Sequence, residues 1–316
     1  MNDFPILVSS AGRRVALVEL LRADARALGL VPRLIATDRK PALSAACAVA
    51  DLARAMPPAH HPEFAPALVA LCREQGVRLL VPTIDPELLP IAANADALRA
   101  GGTFVNISAP QAVRIARDKY LTAEALGADA APSALPPAAL PLPLIAKPRD
   151  GSASAGLRVI RTAQELATVP ANAVLQPLLT GPEYTVNLFV HAGETRAAVP
   201  HLRREVRAGE VAKAITVRHA GLGAIARRLP HAVPGLAGAL CFQAIDTAEG
   251  PRVIEINARF GCGFPLAHAA GAPFTRWLIE AALGRPVAAD DGWREGVTML
   301  RHDAAIFGQA EPSSWL

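Results

Sequence analysis

Residues 1–108 alternate short apolar runs with amphipathic stretches, and this alternation restricts the chain to a parallel sheet joined by right-handed crossovers. Ile6-Leu7-Val8-Ser9 reads as a strand closed by Ala11-Gly12, and Val15, Leu17-Val18 and Leu20-Leu21 then recur at helical spacing. Residues 32–37 give a second strand ending at Asp38. Helices over about 62–75 and 86–99 lead into strands at 78–82 and 103–106. In such sheets ligands gather beyond the carboxyl ends of the strands. Gly12, Asp38 and Asp85 fall at those ends, which makes Gly12 and Asp85 candidate substrate contacts.

The pattern changes after Pro110. A helix over 109–127 precedes a proline-rich connector from Pro132 to Pro143. Strands with hairpin punctuation follow at 144–147, 157–160, 184–190 and 252–257, with helices expected at 218–230 and 273–283. The fold class expected is therefore α/β followed by α+β.

Composition narrows the class of function. At 316 residues and 52% hydrophobic, the chain has material for two or three domains. The net charge of +4 is spread along the sequence rather than gathered into the basic stripe of a nucleic-acid binder, so no nucleic-acid partner is expected. No run of 18 apolar residues suggests a membrane span, and Met1 to Pro5 lacks the basic start of a signal peptide. Cys47, Cys72, Cys241 and Cys262 are scattered, arguing against disulfides and zinc. A soluble, cytoplasmic protein is the expectation.

Chemistry concentrates in three segments. In Glu255-Ile256-Asn257, strand alternation puts Glu255 and Asn257 on one face, and a hairpin turning near Glu249-Gly250 brings Gln243 alongside. Such oxygen donors, with Arg259 beyond, suit Mg²⁺ bridging phosphates; an ordinary solvent-facing strand has the same pattern. Lys147 closes an apolar strand and enters a small-residue loop, Gly151 to Gly156, whose amides can approach phosphates. This is not a P-loop, and a flexible turn with a stray lysine is equally compatible. Gln176, Leu178 and Glu183 flank a short linker between two strands, which reads as a hinge, a nucleotide wall, or both.

The order Asp118-Lys119, Lys147 with its loop, Gln176 to Glu183, then Gln243 to Glu255-x-Asn257-x-Arg259 resembles the ATP-grasp superfamily, most closely the branch of the carbamoyl phosphate synthetase large subunit. The resemblance covers nearly the whole chain, including the ILVSSAGRR opening, and divides it into a Rossmann-like pre-ATP-grasp domain (1–108), a lid subdomain with the small-residue loop (109–182) and a C-terminal subdomain with the metal site (183–316). It implies that Lys119 and Lys147 contact ATP phosphates, that Ser152 to Gly156 cover them, and that Gln176, Leu178 and Glu183 face the nucleotide. It implies further that Gln243, Glu255 and Asn257 hold Mg²⁺, with Mn²⁺ as the alternative ion, and that Arg259 steadies the transferred phosphoryl group. Gln176 stands where many relatives carry Glu, the loop has Ala153 and Ala155 where glycine is common, and Asn257-Ala258-Arg259 replaces a frequent Asn-Pro-Arg.

The activity implied is a ligase that phosphorylates a small carboxylate to an acyl phosphate and couples it to an amine, often as a dimer. Arg204 and Lys213, between the hinge and metal strands, and His268 are candidate substrate contacts. An exposed charged hairpin explains the first two equally, and a lone histidine such as His268 is more often a packed or capped helix residue. Competing readings are phosphorylation of carbamate or bicarbonate and a non-catalytic ATP-binding regulator. An NAD(P)-dependent oxidoreductase ranks last, because Ser9 to Arg14 lacks G-x-G-x-x-G.

Overall fold

The computed structural model describes residues 2–137, 140–151 and 156–308. The chain divides into two compact units. The first holds the described residues of Met1–Ser108, Pro273–Ala288 and His302–Leu316; the second holds those of Ala109–Ala272 and Ala289–Arg301.

The first unit is the parallel sheet that the alternation predicts. Strands β1 (Asp3–Ser9), β2 (Val31–Asp38), β3 (Leu52–Ala55), β4 (Leu79–Pro82) and β5 (Phe104–Val105) lie in the order β3-β2-β1-β4-β5, every neighbour parallel. β1 and β4 are buried almost throughout, as expected of strands covered on both faces. The crossover helices are α1 (Val15–Ala27), α2 (Ala45–Ala48), α3 (Phe64–Glu74), α4 (Asp85–Ala93) and α5 (Ala95–Ala100). The helix expected over 86–99 is interrupted at Asn94, which ends α4 and whose side chain donates to the Pro90 carbonyl at 2.9 Å.

In the second unit the single helix expected over 109–127 is two. α6 (Pro110–Arg117) stops at Asp118, whose extended backbone starts α7 (Lys119–Leu126). Asp118 Oδ1 accepts the amides of Tyr120 and Leu121 at 2.9 and 3.3 Å, and this N-cap outweighs continued helical periodicity. A small antiparallel sheet follows, with β6 (Leu144–Pro148) between β7 (Arg158–Ile160) and, after the short α8 (Ala163–Leu166), β8 (Ala173–Pro177). Next come β9 (Glu183–His191), β10 (Glu194–Arg207), β11 (Glu210–Thr216), α9 (Ala220–Ala232), β12 (Gly238–Thr247), β13 (Gly250–Asn257) and α10 (Phe264–Ala270). α11 (Phe274–Ala282) returns to the first unit and packs on α1, where Thr275 Oγ1 donates to Asp24 at 2.5 Å. β14 (Thr298–Leu300) completes the large sheet, in the order β13-β12-β9-β10-β11-β14. The β9–β10 turn is two residues, Ala192 (φ 53°) and Gly193 (φ 77°), the left-handed pair that a tight hairpin requires.

One face of the large sheet carries Val186, Leu188, Phe242 and Ile256, all buried, and α9 packs against β9, β10 and β13. The other face carries Thr185, Asn187, Gln243 and Glu255, with Cys241, Phe189 and Ala239 continuing it away from these polar groups.

Candidate active site

Register places the polar side chains in rows. Glu255 pairs with Gln243, Gln243 with Thr185, and Thr185 with His201, so these four share a face across β13, β12, β9 and β10. The next row runs from Asn257 through Cys241 to Asn187. Glu255 Oε1 accepts from Asn257 Nδ2 at 3.1 Å, and Asn257 Oδ1 accepts from Arg259 Nη2 at 3.1 Å. The three expected metal ligands and Arg259 therefore lie together at one edge of the sheet.

Lys147 reaches this edge from β6. The register of β12 against β13 skips Ile254, a bulge that leaves its carbonyl outside the ladder, and Lys147 Nζ donates to that oxygen at 3.2 Å. Burial lowers the Lys147 pKa to about 8; nearby Lys119 pushes the same way, while Glu255 and Glu183 oppose the shift. Lys119, the first residue of α7, is 7% exposed, and its Nζ donates to the Gly151 carbonyl at 3.0 Å. Among the described residues, these two largely buried ammonium groups are answered by backbone carbonyls, and the carboxylates felt by Lys147 are not in hydrogen-bond contact with it.

Glu183 opens β9 beside this cluster. Burial raises its pKa most; Arg203 opposes the rise, Glu255 adds to it and Lys147 opposes it. Arg203 Nε lies 3.1 Å from Glu183 Oε1, and Arg203 Nη1 donates to Thr185 Oγ1 at 3.2 Å. Gln176, 3% exposed in β8, donates through Nε2 to Ser133 Oγ at 2.9 Å, which orients its amide. The Leu178 amide donates to the Pro143 carbonyl at 3.1 Å. Gly156 has φ +75°, and a Cβ there would meet the Pro148 ring at 3.1 Å, so the segment after the loop rests on the one before it. Ser152 lies outside the described residues.

Of the remaining candidates, Arg204, Lys213 and His268 belong to the second unit, and Gly12 and Asp85 to the first. Arg204 is exposed and falls where the β10–β11 register skips a residue, while Lys213 is exposed and pairs with Glu205 at 2.6 Å. His268 is half-buried on α10. In the first unit the Gly12 amide donates to Asp38 Oδ2 at 3.0 Å, and Asp85 is the first residue of α4.

Sequence reasoning missed four residues of the polar face: Thr185, Asn187, His201 and Arg203. Asn187 Nδ2 lies 3.2 Å from His201 Nδ1, yet Asn187 Oδ1 and His201 Nε2 are buried without hydrogen-bond partners among the described residues, while Arg203 Nε has the Glu183 carboxylate beside it. Burial first, then Arg203 and Arg301, push the His201 pKa down to about 3, so the ring is neutral. Gly261 and Gly263 lie directly over this patch; a Cβ on them would meet Cys241 Sγ at 2.6 Å and the His201 ring at 2.5 Å. The alternation of polar residues at 183, 185 and 187 was the available signal.

The donor set at the edge consists of carboxylate and carboxamide oxygens, which fits Mg²⁺. Among the described residues no group of three or more His, Cys, Asp or Glu is placed to cage a metal, so an ion here depends on ligands from a bound phosphate or water. Lys119, Lys147, Arg203 and Arg259 outnumber Glu183 and Glu255, which favours an anionic occupant. Among the described residues no helix is long and apolar enough to cross a membrane.

Comparison with known proteins bears on the family and the fold. Residues 116–263 match the model of the ATP-grasp domain, and residues 6–106 match that of the PylC-like N-terminal domain. No curated protein matches the chain. Among solved structures, the biotin carboxylase domain of Hydrogenobacter thermophilus 2-oxoglutarate carboxylase, complexed with MgADP, ADP and bicarbonate, is 17% identical, with a TM-score of 0.72 over 93% of this chain and 73% of that one. The L-amino acid ligase of Bacillus licheniformis is 16% identical, with a TM-score of 0.70 over 90% and 75%. N5-carboxyaminoimidazole ribonucleotide synthetase of Thermotoga maritima is 17% identical, with a TM-score of 0.64 over 92% and 77%.

Proposed function

We propose that this chain, which belongs to the ATP-grasp superfamily, is an ATP-dependent carbon–nitrogen ligase: it phosphorylates a small carboxylate and couples the acyl phosphate to an amine, releasing ADP and phosphate. The observation that carries the reading is the pair of largely buried ammonium groups, Lys119 and Lys147, answered by carbonyls and set beside the Glu255–Asn257 edge. Buried cations demand counter-charge, and a nucleotide's phosphates supply it. The named activities of the structural neighbours, an L-amino acid ligase and an N5-carboxyaminoimidazole ribonucleotide synthetase, support the same reaction class.

In this reading residues 109–182 form the lid subdomain and 183–316 the subdomain bearing the metal edge. Lys119 and Lys147 bind phosphates; Gln176, Leu178 and Glu183 face the base and ribose. Gln243, Glu255 and Asn257 hold Mg²⁺, which Mn²⁺ can replace, and the ion supplies charge neutralisation for phosphoryl transfer. Arg259, held by Asn257, steadies the transferred group, and catalysis is positioning plus electrostatics without a protein nucleophile. Gly12, Asp85, Arg204, Lys213 and His268 are the proposed contacts to the acid and amine, and the protein works as a soluble homodimer.

An ADP-release screen over a matrix of amino acids and small acids tests this, with products identified by mass spectrometry. The expected outcome is Mg²⁺-dependent ADP release that requires an acid–amine pair. Tight ATP binding with no turnover on any pair would overturn the ligase reading in favour of an ATP-binding regulator. Turnover with bicarbonate alone would favour the carboxyl-phosphate alternative, for which the bicarbonate bound in the biotin carboxylase neighbour is the supporting observation.

A further inference from the structure

Asp118 serves two structures at once. Its Oδ1 caps α7, and its Oδ2 accepts Arg149 through Nε at 2.9 Å and Nη2 at 2.5 Å, a two-pronged contact. The segment so anchored returns to the residue beside Asp118. The Lys119 amide donates to the Arg149 carbonyl at 3.0 Å, and Lys119 Nζ donates to the Gly151 carbonyl at 3.0 Å. Arg149 also lies over the Tyr120 ring, 5.7 Å from its centroid. The Lys119 backbone and its ammonium group are therefore both referenced to residues 149–151, which Asp118 contacts through Arg149. The same segment follows the end of β6 at Pro148, the residue after Lys147.

We infer that Asp118 and Arg149 are positioning residues for phosphate binding: their ion pair sets the Lys119 ammonium, and the strand end carrying Lys147, for the polyphosphate of a nucleotide. The inference rests on the ATP reading above and adds to it a pair that touches no ligand. The physical reason is entropic. A lysine has four rotatable bonds, and holding its backbone and its head group against one rigid segment removes freedom that phosphate binding would otherwise have to remove.

Two single variants and their combination test it, read as the affinities of the intact protein for Mg²⁺–ATP and for adenosine. Asp118→Asn keeps a good N-cap and so preserves α7, but loses the charge that holds Arg149. Arg149→Ala removes the other partner. Each single variant is expected to weaken ATP binding by about tenfold, a typical loss when a group supporting a ligand-binding side chain is removed, and to leave adenosine affinity unchanged. The double variant is expected to lose no more than either single one, because the two act as one device. Arg149→Lys should fall between wild type and Arg149→Ala, since one ammonium replaces a two-pronged contact. Three results would overturn the inference: ATP affinity unchanged in Asp118→Asn with Arg149→Ala weakened, which marks Arg149 as a direct phosphate ligand; equal losses for ATP and adenosine, which mark a general structural role; or losses that add in the double variant. Failure of the wild-type protein to bind ATP would instead overturn the nucleotide reading on which the inference stands.

Discussion

Each unit buries charge, and the two treat it differently. In the first, Glu87 is 0% exposed, and its carboxylate accepts Ser9 Oγ at 2.5 Å, Ser10 Oγ at 2.7 Å and the amides of Thr83 and Ile84 at 2.6 and 3.0 Å. Burial raises its pKa, and those hydrogen bonds hold the rise back. The network ties the ends of β1 and β4 together and is closed. In the second unit Lys119 and Lys147 have carbonyl partners, and Asn187 and His201 keep buried polar atoms without hydrogen bonds among the described residues. A closed network stabilises a fold; an open one, biased toward positive charge, is the arrangement the proposed anion binding calls for.

Three measurements sharpen or break this contrast. The largest effect is expected from Glu255→Ala, which should cut ADP release by about 10²–10³-fold, the cost typical of removing a group that stabilises transition-state charge, while leaving the urea midpoint near wild type. Unchanged turnover would remove Glu255 from the metal site. Glu87→Ala should do the reverse. Four donors lose their acceptor, and if water recovers part of the loss, about 3 kcal/mol of unfolding free energy disappears with ATP affinity retained. Equal stability in the variant, measured by urea denaturation, would show that the Glu87 network is not structural.

The smallest effect is in pH. Lys147 has its pKa lowered to about 8 from 10.5, so above pH 8 the ligand-free protein loses the charge that the proposed function assigns to a phosphate. ATP affinity should fall by up to about tenfold per pH unit there, and Lys147→Arg, which does not deprotonate, should flatten the curve. Stability has the opposite sign. Below pH 8 the amine is charged in both states and its burial cost is fully present; between 8 and 10.5 the folded protein sheds the proton first, and this group's contribution to stability rises. Titration calorimetry across pH 7–10 checks the first sign, and urea unfolding over the same range checks the second.

Local pattern carried much of the architecture. The apolar alternation before residue 108 translated into β1 to β5, and the Glu255-x-Asn257 spacing into a shared face, because both periods belong to the chain itself. Asp118 also carried a local signal, an aspartate ahead of a helix, that the longer apolar periodicity masked. Arg203 and Arg204 were indistinguishable as neighbours. Alternation from His201, which pairs with Thr185, puts Arg203 on the polar face with Glu183, whereas Arg204 falls where pairing with β11 skips a residue. Which parity faces the site is set by the partner strands, not by the two arginines.

The sequence by itself determined the succession of strands and helices, the order of the lysine, hinge and carboxylate segments, and which side of β13 is polar. Tertiary structure decided which carbonyl the bulge at Ile254 presents to Lys147, which residues bury their charge in a closed network, and that α11 packs with the first unit. Periodicity is a property of consecutive residues. Register, bulges and the satisfaction of buried polar atoms depend on segments far apart in the chain, so they exist only once those segments have met.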